Sequence, residues 1–361
     1  MPQGETYWNP YRMIPVKTGR LERHCPITHE AIKGISGEIE ASLTTITPLL
    51  IGTQEGKNKK PVSNMESHLP VLPGSSLKGM IRSLAELVGN GCDVTDSSDP
   101  EHSKCKDIER LCICCRLFGM QHDQQSFLGK VHFSEGCWIG EGKPELLENQ
   151  PVLLSNPKER HTAFYNSNKK YRKLYHHQPL RTTGPLRAKD SAQEKMVSLL
   201  AVIKSNETFS IKVSFINLEE DEFGLLLYCL ALEGNVTAMV NGLEHKGNLY
   251  HKLGMGKPLG MGSVKIELLK LSLFDPDIAI RYRLWDGRNL IIFETEELKQ
   301  EIYNRTASLR NDNSPTMQYL RSMLLWIPDD QRSFSYPERN SERDWFTDHK
   351  GVPLKDPISG I

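Results

Sequence analysis

The chain has 361 residues, with 45 lysines and arginines against 45 aspartates and glutamates, so bulk charge argues for no polyanionic partner and any binding patch has to be local. The length allows one large domain or two ordinary ones with a sizeable core. No run of about 18 apolar residues offers a membrane span, and the opening stretch "MPQGETYWNPYRMIPVKTGR" lacks the apolar core of an export signal, so a cytoplasmic protein with no membrane partner is expected.

In chain order, "EIEASLTTIT" (38–47) alternates Ile39, Ala41, Leu43 and Thr45 with polar residues and reads as a half-buried strand. A polar loop follows with Lys57, Lys59, Lys60, Glu66 and His68. From about Ser75, Leu77, Met80, Ile81, Leu84, Leu87 and Val88 recur at spacings of three and four, an amphipathic helix ending near Gly89. Ser75 or Ser76 is the expected cap. Lys78 and Arg82 lie one turn apart on the polar side, and with the open N–H groups of the first turn they suggest a phosphate seat. A cysteine-rich insert leads to a short strand "GKVHFSEG", then to a polar, irregular stretch over 137–190. "TFSIKVSFIN" (208–217) is a strand with Phe209, Ile211, Val213 and Phe215 on one face. "LEEDEFGLLLYCLALEG" (218–234) is a helix with acids in its first turn, and "GKPLGMGSVKIELLKLSLF" turns through glycines into a last strand. The order strand, helix, strand, strand, helix, strand is that of a ferredoxin-like (RRM-like) α+β core. Beyond about 275, a helical stretch with "MQYLRSMLLWI" leads into a polar tail.

Five of the eight cysteines fall between Cys92 and Cys115, which suggests a metal site rather than a disulfide framework. Structural zinc takes four thiolate or imidazole ligands, often from a Cys-x-x-Cys knuckle. Cys112 and Cys115 have that spacing, and His102 with Cys105 supplies a second pair. Cys92 or Cys114 is the alternate for one member. Burial of all five thiols as plain small hydrophobes is not expected in so polar a stretch.

The run "GMGKPLGMGS" (254–263) is no P-loop, because proline follows Lys257 where a serine or threonine must hold magnesium. It is no dinucleotide fingerprint either, because a strand follows rather than a helix. Two readings remain: a turn before a strand, or a bare backbone at Gly254, Gly256, Gly260 and Gly262 that lets a polyanion reach N–H groups. Residues 158–189 hold nine lysines and arginines against Glu159 alone, interleaved with Phe164, Tyr165, Tyr171 and Tyr175. Cations with stacking aromatics suit single-stranded RNA, which points to Lys169, Lys170, Arg172, His176, His177 and Arg181.

"PGSSLKGMIRS", "CCRLFG" followed by "GKVHFSEG", the 218–234 helix and "GKPLGMGSVKI" together, in this order, resemble the RAMP superfamily of CRISPR-associated proteins. The likeness is strongest to backbone subunits of type III effector complexes and spans about 36–272. "KKYRKLYHHQP" is also similar to a stretch in one branch of these proteins. The resemblance implies a core over 36–274, a zinc-knuckle insert at about 90–120, a thumb-like insert at about 138–190 and a C-terminal extension over 275–361. It implies guide (CRISPR) RNA bound along the sheet and first helix, target RNA paired to it, and neighbouring effector subunits as partners in antiviral defence. Target-cleaving members carry an aspartate in the loop before the first helix. The first aspartate here is Asp93, so catalysis is not expected, and only Glu66 with His68 could substitute. The alternatives are a target-RNA endoribonuclease cutting from that loop, with magnesium if so, and a guide-precursor endoribonuclease using His176 or His177.

Overall fold

Alternating apolar and polar residues make Ile35–Thr45 a long strand that buries Ile39, Ala41, Leu43 and Thr45 and turns Glu38, Glu40 and Ser42 to the other face. The computed structural model describes residues 8–52, 58–93, 102–153, 171–179, 197–275, 290–332, 334 and 355–360. Thr208–Leu218 pairs antiparallel with the first strand and buries Phe209, Ile211, Val213 and Phe215, as their spacing predicts. Ser263–Phe274 flanks the first strand on its other side, and Val131–Phe133 flanks Thr208–Leu218. Numbered along the chain, these four core strands stand in the order 4-1-3-2, all antiparallel. That is the arrangement of a ferredoxin-like split β-α-β unit.

Helix α1 (Gly74–Val88) buries Leu77, Ile81, Leu84, Leu87 and Val88, each worth roughly 1.5–3 kcal/mol relative to exposure. After the short α2 (Ile113–Phe118) comes α3 (Glu220–Ala231), which packs against α1 and the sheet. The Glu222 carboxylate accepts the N–H of Glu219 at 2.9 Å, and this closes the first turn of α3.

The expected serine cap is corrected. Pro73 holds the N-cap position of α1, and no side chain caps the helix. Val71–Leu72 is still paired with Gly136–Trp138, so the chain passes straight from strand to helix through a proline whose φ is already −55°. Ser75 and Ser76 therefore sit inside the first turn. Gly74 is required there, since a Cβ would lie 2.1 Å from the Phe133 carbonyl oxygen.

The stretch after the second core strand builds a small sheet. Leu146–Leu153 runs antiparallel to Val197–Ile203, which takes Asn58–Lys59 on its other edge. Tyr171–Tyr175 pairs elsewhere, antiparallel with Tyr11–Pro15 near the start of the chain. Residues 154–170 and 180–196, with Lys169, Lys170 and Arg181, lie outside the described residues, as does Lys57. At the far end, Leu290–Glu294 extends the edge of the fourth core strand. Helix α4 (Thr295–Arg310) packs on α3. Helix α5 (Pro315–Leu324) places Met317, Leu320, Met323 and Leu324 in the same core as α1 and α3.

Candidate nucleic-acid interface and metal centre

The glycine run folds back on itself. Gly254, Gly256, Gly260 and Gly262 have φ of +78°, +70°, +86° and +78°, the left-handed region that glycine adopts without penalty. A Cβ would meet the Leu50 carbonyl oxygen at 2.4 Å from Gly254, and that of Leu253 at 1.9 Å from Gly262. Lys252 Nζ donates to the carbonyls of Gly260 (3.2 Å) and Met261 (3.1 Å), and Thr47 Oγ1 donates to Gly260 (2.9 Å). Tight turning against the chain itself accounts for these glycines. Gly256, Gly260 and Gly262 are buried, and Gly254 borders a cleft.

That cleft, about 320 Å³, lies between α1, Tyr171–Tyr175 and the glycine loop. Its polar lining is Ser76, Ser83, Lys173, Tyr175, His251, Lys252 and Lys257, with no aspartate or glutamate among the described residues. Burial pushes the Lys252 ammonium down to about 7, helped by the nearby charge of Lys257, and the same two causes bring Lys173 down to about 8. Burial also lowers Lys257. Three amines crowding one cleft without a carboxylate make a local positive field, the counterpart of phosphate oxygens. Gly79 faces the same cleft, exposed in mid-helix with nothing within 4 Å of an added Cβ.

Of the residues expected to hold phosphate, the fold brings Ser76, Gly254 and Lys257 together here, with Ser75 exposed beside them. Lys78 and Arg82 line a different cavity, on the other flank of α1. Lys59 is paired at the edge of the small sheet and Lys60 is exposed; neither borders the cleft. Arg172 is corrected. It binds Asp93 at 2.7 Å and approaches Glu86 at 3.9 Å, 12% exposed. His176 and His177 are corrected too, since both are 3% exposed. His176 packs on Phe334 with ring centroids 4.6 Å apart, and His177 shares a 2.8 Å hydrogen bond with Ser263. Burial holds both rings well below the ordinary histidine value, and neither borders the cleft.

Lys173 and Lys252 are the members that the motifs missed. Strand alternation could have found Lys173, because it sends Arg172 inward and its neighbour to the opposite side. Lys173 Nζ also lies 3.6 Å from the centroid of the Tyr11 ring, so the interleaved aromatics here serve the chain itself. Among the described residues, the face of the core sheet away from the helices carries Glu38, Glu40, Ser42, Ser210 and Glu267 with Lys212, Lys265 and Lys270, and each of these lysines has a glutamate beside it: Glu38 at 2.7 Å, Glu267 at 2.7 Å and Glu294 at 3.8 Å.

On the far flank of α1, Cys92, Cys105, Cys112 and Cys115 place their sulfurs within 4.8 Å of one another. A tetrahedral ion with bonds of about 2.3 Å sets sulfurs about 3.8 Å apart, and Cys92 and Cys115 stand at 3.5 Å. The thiols are free rather than disulfide-bonded. The backbone N–H of Cys112 points at Cys105 Sγ (3.3 Å) and that of Cys92 at Cys112 Sγ (3.5 Å). Hydrogen bonds from Cys112, Cys115 and Cys92 hold the Cys105 thiol far below its ordinary value. A soft four-sulfur donor set of this shape fits a metal ion such as zinc.

Cys92 replaces His102 in the expected quartet, because the His102 ring turns to Asn90 Oδ1 (2.9 Å). Cys114 packs against Gly91, and burial raises its thiol well above the ordinary value. All five cysteines are buried after all. Lys106, Asp107, Glu109 and Arg110 stay at the surface while the knuckle packs under α1 and α3.

Glu66 and His68 are exposed on a tight turn held by Asn64, whose side chain accepts the N–H groups of Glu66 (2.9 Å) and Ser67 (3.1 Å). Among the described residues, neither side chain meets a second acid–base group.

Residues 42–265, more than half of the chain, match the RAMP superfamily, and the chain belongs to it. A search of the curated proteins finds no match. RAMP membership implies a CRISPR-associated RNA-binding role, and the matched residues take in the second and third core strands with the end of the first and the start of the fourth. No helix among the described residues is long and apolar enough to cross a membrane.

Proposed function

We propose that this protein is a non-catalytic, guide-RNA-binding backbone subunit of a type III CRISPR effector, working in the cytoplasm with target RNA and neighbouring subunits as partners. The observation that carries this reading is the convergence of Ser76, Lys173, Lys252 and Lys257 on one cleft without an acid. There the lysines neutralise consecutive phosphates of a single strand, and the first turn of α1 adds N–H groups and the Ser76 hydroxyl. Sequence is read by base pairing of the guide, so the protein needs only to grip the ribose–phosphate chain. Within this reading 36–274 is the core and 275–361 an extension. The segment 138–190 is the thumb that interrupts the guide–target duplex, and the four cysteines hold a structural zinc that shapes the knuckle at 90–120.

The RNA that copurifies with the chain tests the first part: sequencing should recover CRISPR-repeat sequence. Binding of that RNA against salt tests the cleft. Lys173→Ala and Lys257→Ala should each weaken affinity and lower the salt slope by about one, while Lys212→Ala on the outer sheet face should leave it unchanged. Unchanged slopes in both cleft variants would remove the cleft from the interface.

A further inference from the structure

We propose that Arg82 balances the charge of the four-cysteine metal centre by donating to the Cys115 sulfur, and so ties helix α1 to the metal. This rests on reading Cys92, Cys105, Cys112 and Cys115 as ligands. A divalent ion held by four thiolates keeps two excess negative charges. Buried charge of that kind is costly unless donors and cations are turned toward it.

Backbone N–H groups serve Cys112 and Cys105, through Cys92 and Cys112 respectively, at 3.5 and 3.3 Å. Cys115 is served by a side chain. Arg82 Nη2 lies 4.0 Å from Cys115 Sγ, with the residue on the exposed-facing wall of the cluster. The other guanidinium nitrogens are engaged as well. Nε donates to Glu86 Oε1 at 3.0 Å, and Nη1 donates to the Gly119 carbonyl at 3.1 Å, just past the end of α2. The rigid fork of arginine is thereby fixed at three points, which lysine's single ammonium cannot reproduce.

The lining of the adjoining cavity has the same sign. Arg82, Lys78 and Lys104 share a cavity of about 570 Å³ with Cys105 and Cys115, and no acid lines it. The Lys78 ammonium is lowered by burial and by the charge of Arg82. Arg82 is thus a positioning residue for Cys115.

The test uses the full chain loaded with zinc, or with cobalt(II) as a spectroscopic probe. Arg82→Met keeps the apolar stem and removes the donors, while Arg82→Lys keeps the charge and loses the fork. Arg82→Met should release zinc to a chelator about 10-fold faster or more, the size of effect seen when a partner of a metal ligand is lost. It should shift the sulfur-to-cobalt charge-transfer band and make Cys115 the first cysteine alkylated in peptide mapping. Arg82→Lys should fall between the two, and it stands in as the test if Arg82→Met does not fold.

Wild-type zinc release and an unchanged cobalt spectrum in the variant would overturn the proposal. Such a result combined with weaker RNA binding would make Arg82 a phosphate contact instead. Wild-type protein without zinc would overturn the metal reading itself, and that is seen before any variant is made.

Discussion

Arg116 and Glu222 meet Nε to Oε1 at 2.7 Å, with side chains 1% and 0% exposed, and join the cysteine-rich knuckle to the second core helix. Lys130 Nζ reaches the same carboxylate at 2.8 Å, and Asp221 takes a second arm of Arg116 at 2.9 Å. A buried pair adds little net stability when intact, but removing one partner strands the others. Glu222→Ala should lower the unfolding free energy by about 3–5 kcal/mol, because it leaves the buried Lys130 without its carboxylate partner, while Arg116 keeps Asp221 and Glu219. Urea denaturation measures this, and a loss below about 1 kcal/mol would mean that water reaches the site.

The metal quartet separates by mutation. Cys92→Ser should drop zinc content below about half an equivalent, while His102→Gln and Cys114→Ala should keep it near one. Elemental analysis of the purified chain decides. Retained zinc in Cys92→Ser with loss in His102→Gln would restore the quartet that spacing alone suggests.

The cleft lysines set a pH dependence. Lys252 and Lys173 titrate near 7 and 8 in the fold, below their ordinary value of 10.5, so the unfolded chain binds more protons between those values. Stability of the RNA-free protein should therefore rise with pH from about 7 to 10 through these groups, their burial penalty being fully present only below that window. RNA affinity should move the opposite way. A phosphate favours the charged amine, binding takes up protons, and affinity falls as pH climbs from about 7 to 9. Calorimetry in buffers of different ionisation heat would show the uptake; none at pH 8 would contradict the cleft's role.

Two glycines should respond in opposite senses. Gly262→Ala puts a Cβ where the Leu253 carbonyl oxygen lies 1.9 Å away, at φ +78°, and should cost more than about 1–3 kcal/mol. Gly79→Ala meets nothing within 4 Å and should stabilise α1 by up to about 1 kcal/mol. Thermal melts read both, and equal losses would mean that α1 is packed more tightly around Gly79 than these contacts show.

Much of the core was legible in advance. The alternation through Phe209, Ile211, Val213 and Phe215, and the stripe through Leu77, Ile81 and Leu84, are local records of one buried face, and both elements formed where those records place them. The helix start was not legible, because Ser75 and Ser76 satisfy a capping pattern that strand pairing at Val71–Leu72 overrides. The basic run misled for a related reason. Charge density along the chain does not reveal that Arg172 has Asp93 waiting, or that His176 and His177 sit beneath Trp8, Phe334 and Tyr250.

By itself, the amino-acid sequence determined the strand and helix periods, the presence of a thiol-rich knuckle and the family likeness, because each is written in residues close together along the chain. Which four thiols converge was decided by the tertiary structure, which carries Cys92 to Cys115 and turns His102 to Asn90. So was the division of α1 into a lysine cleft on one flank and the cysteine cluster on the other. Such choices depend on which distant groups are already paired. A charge or thiol is free for a ligand only when the fold has left it no nearer partner.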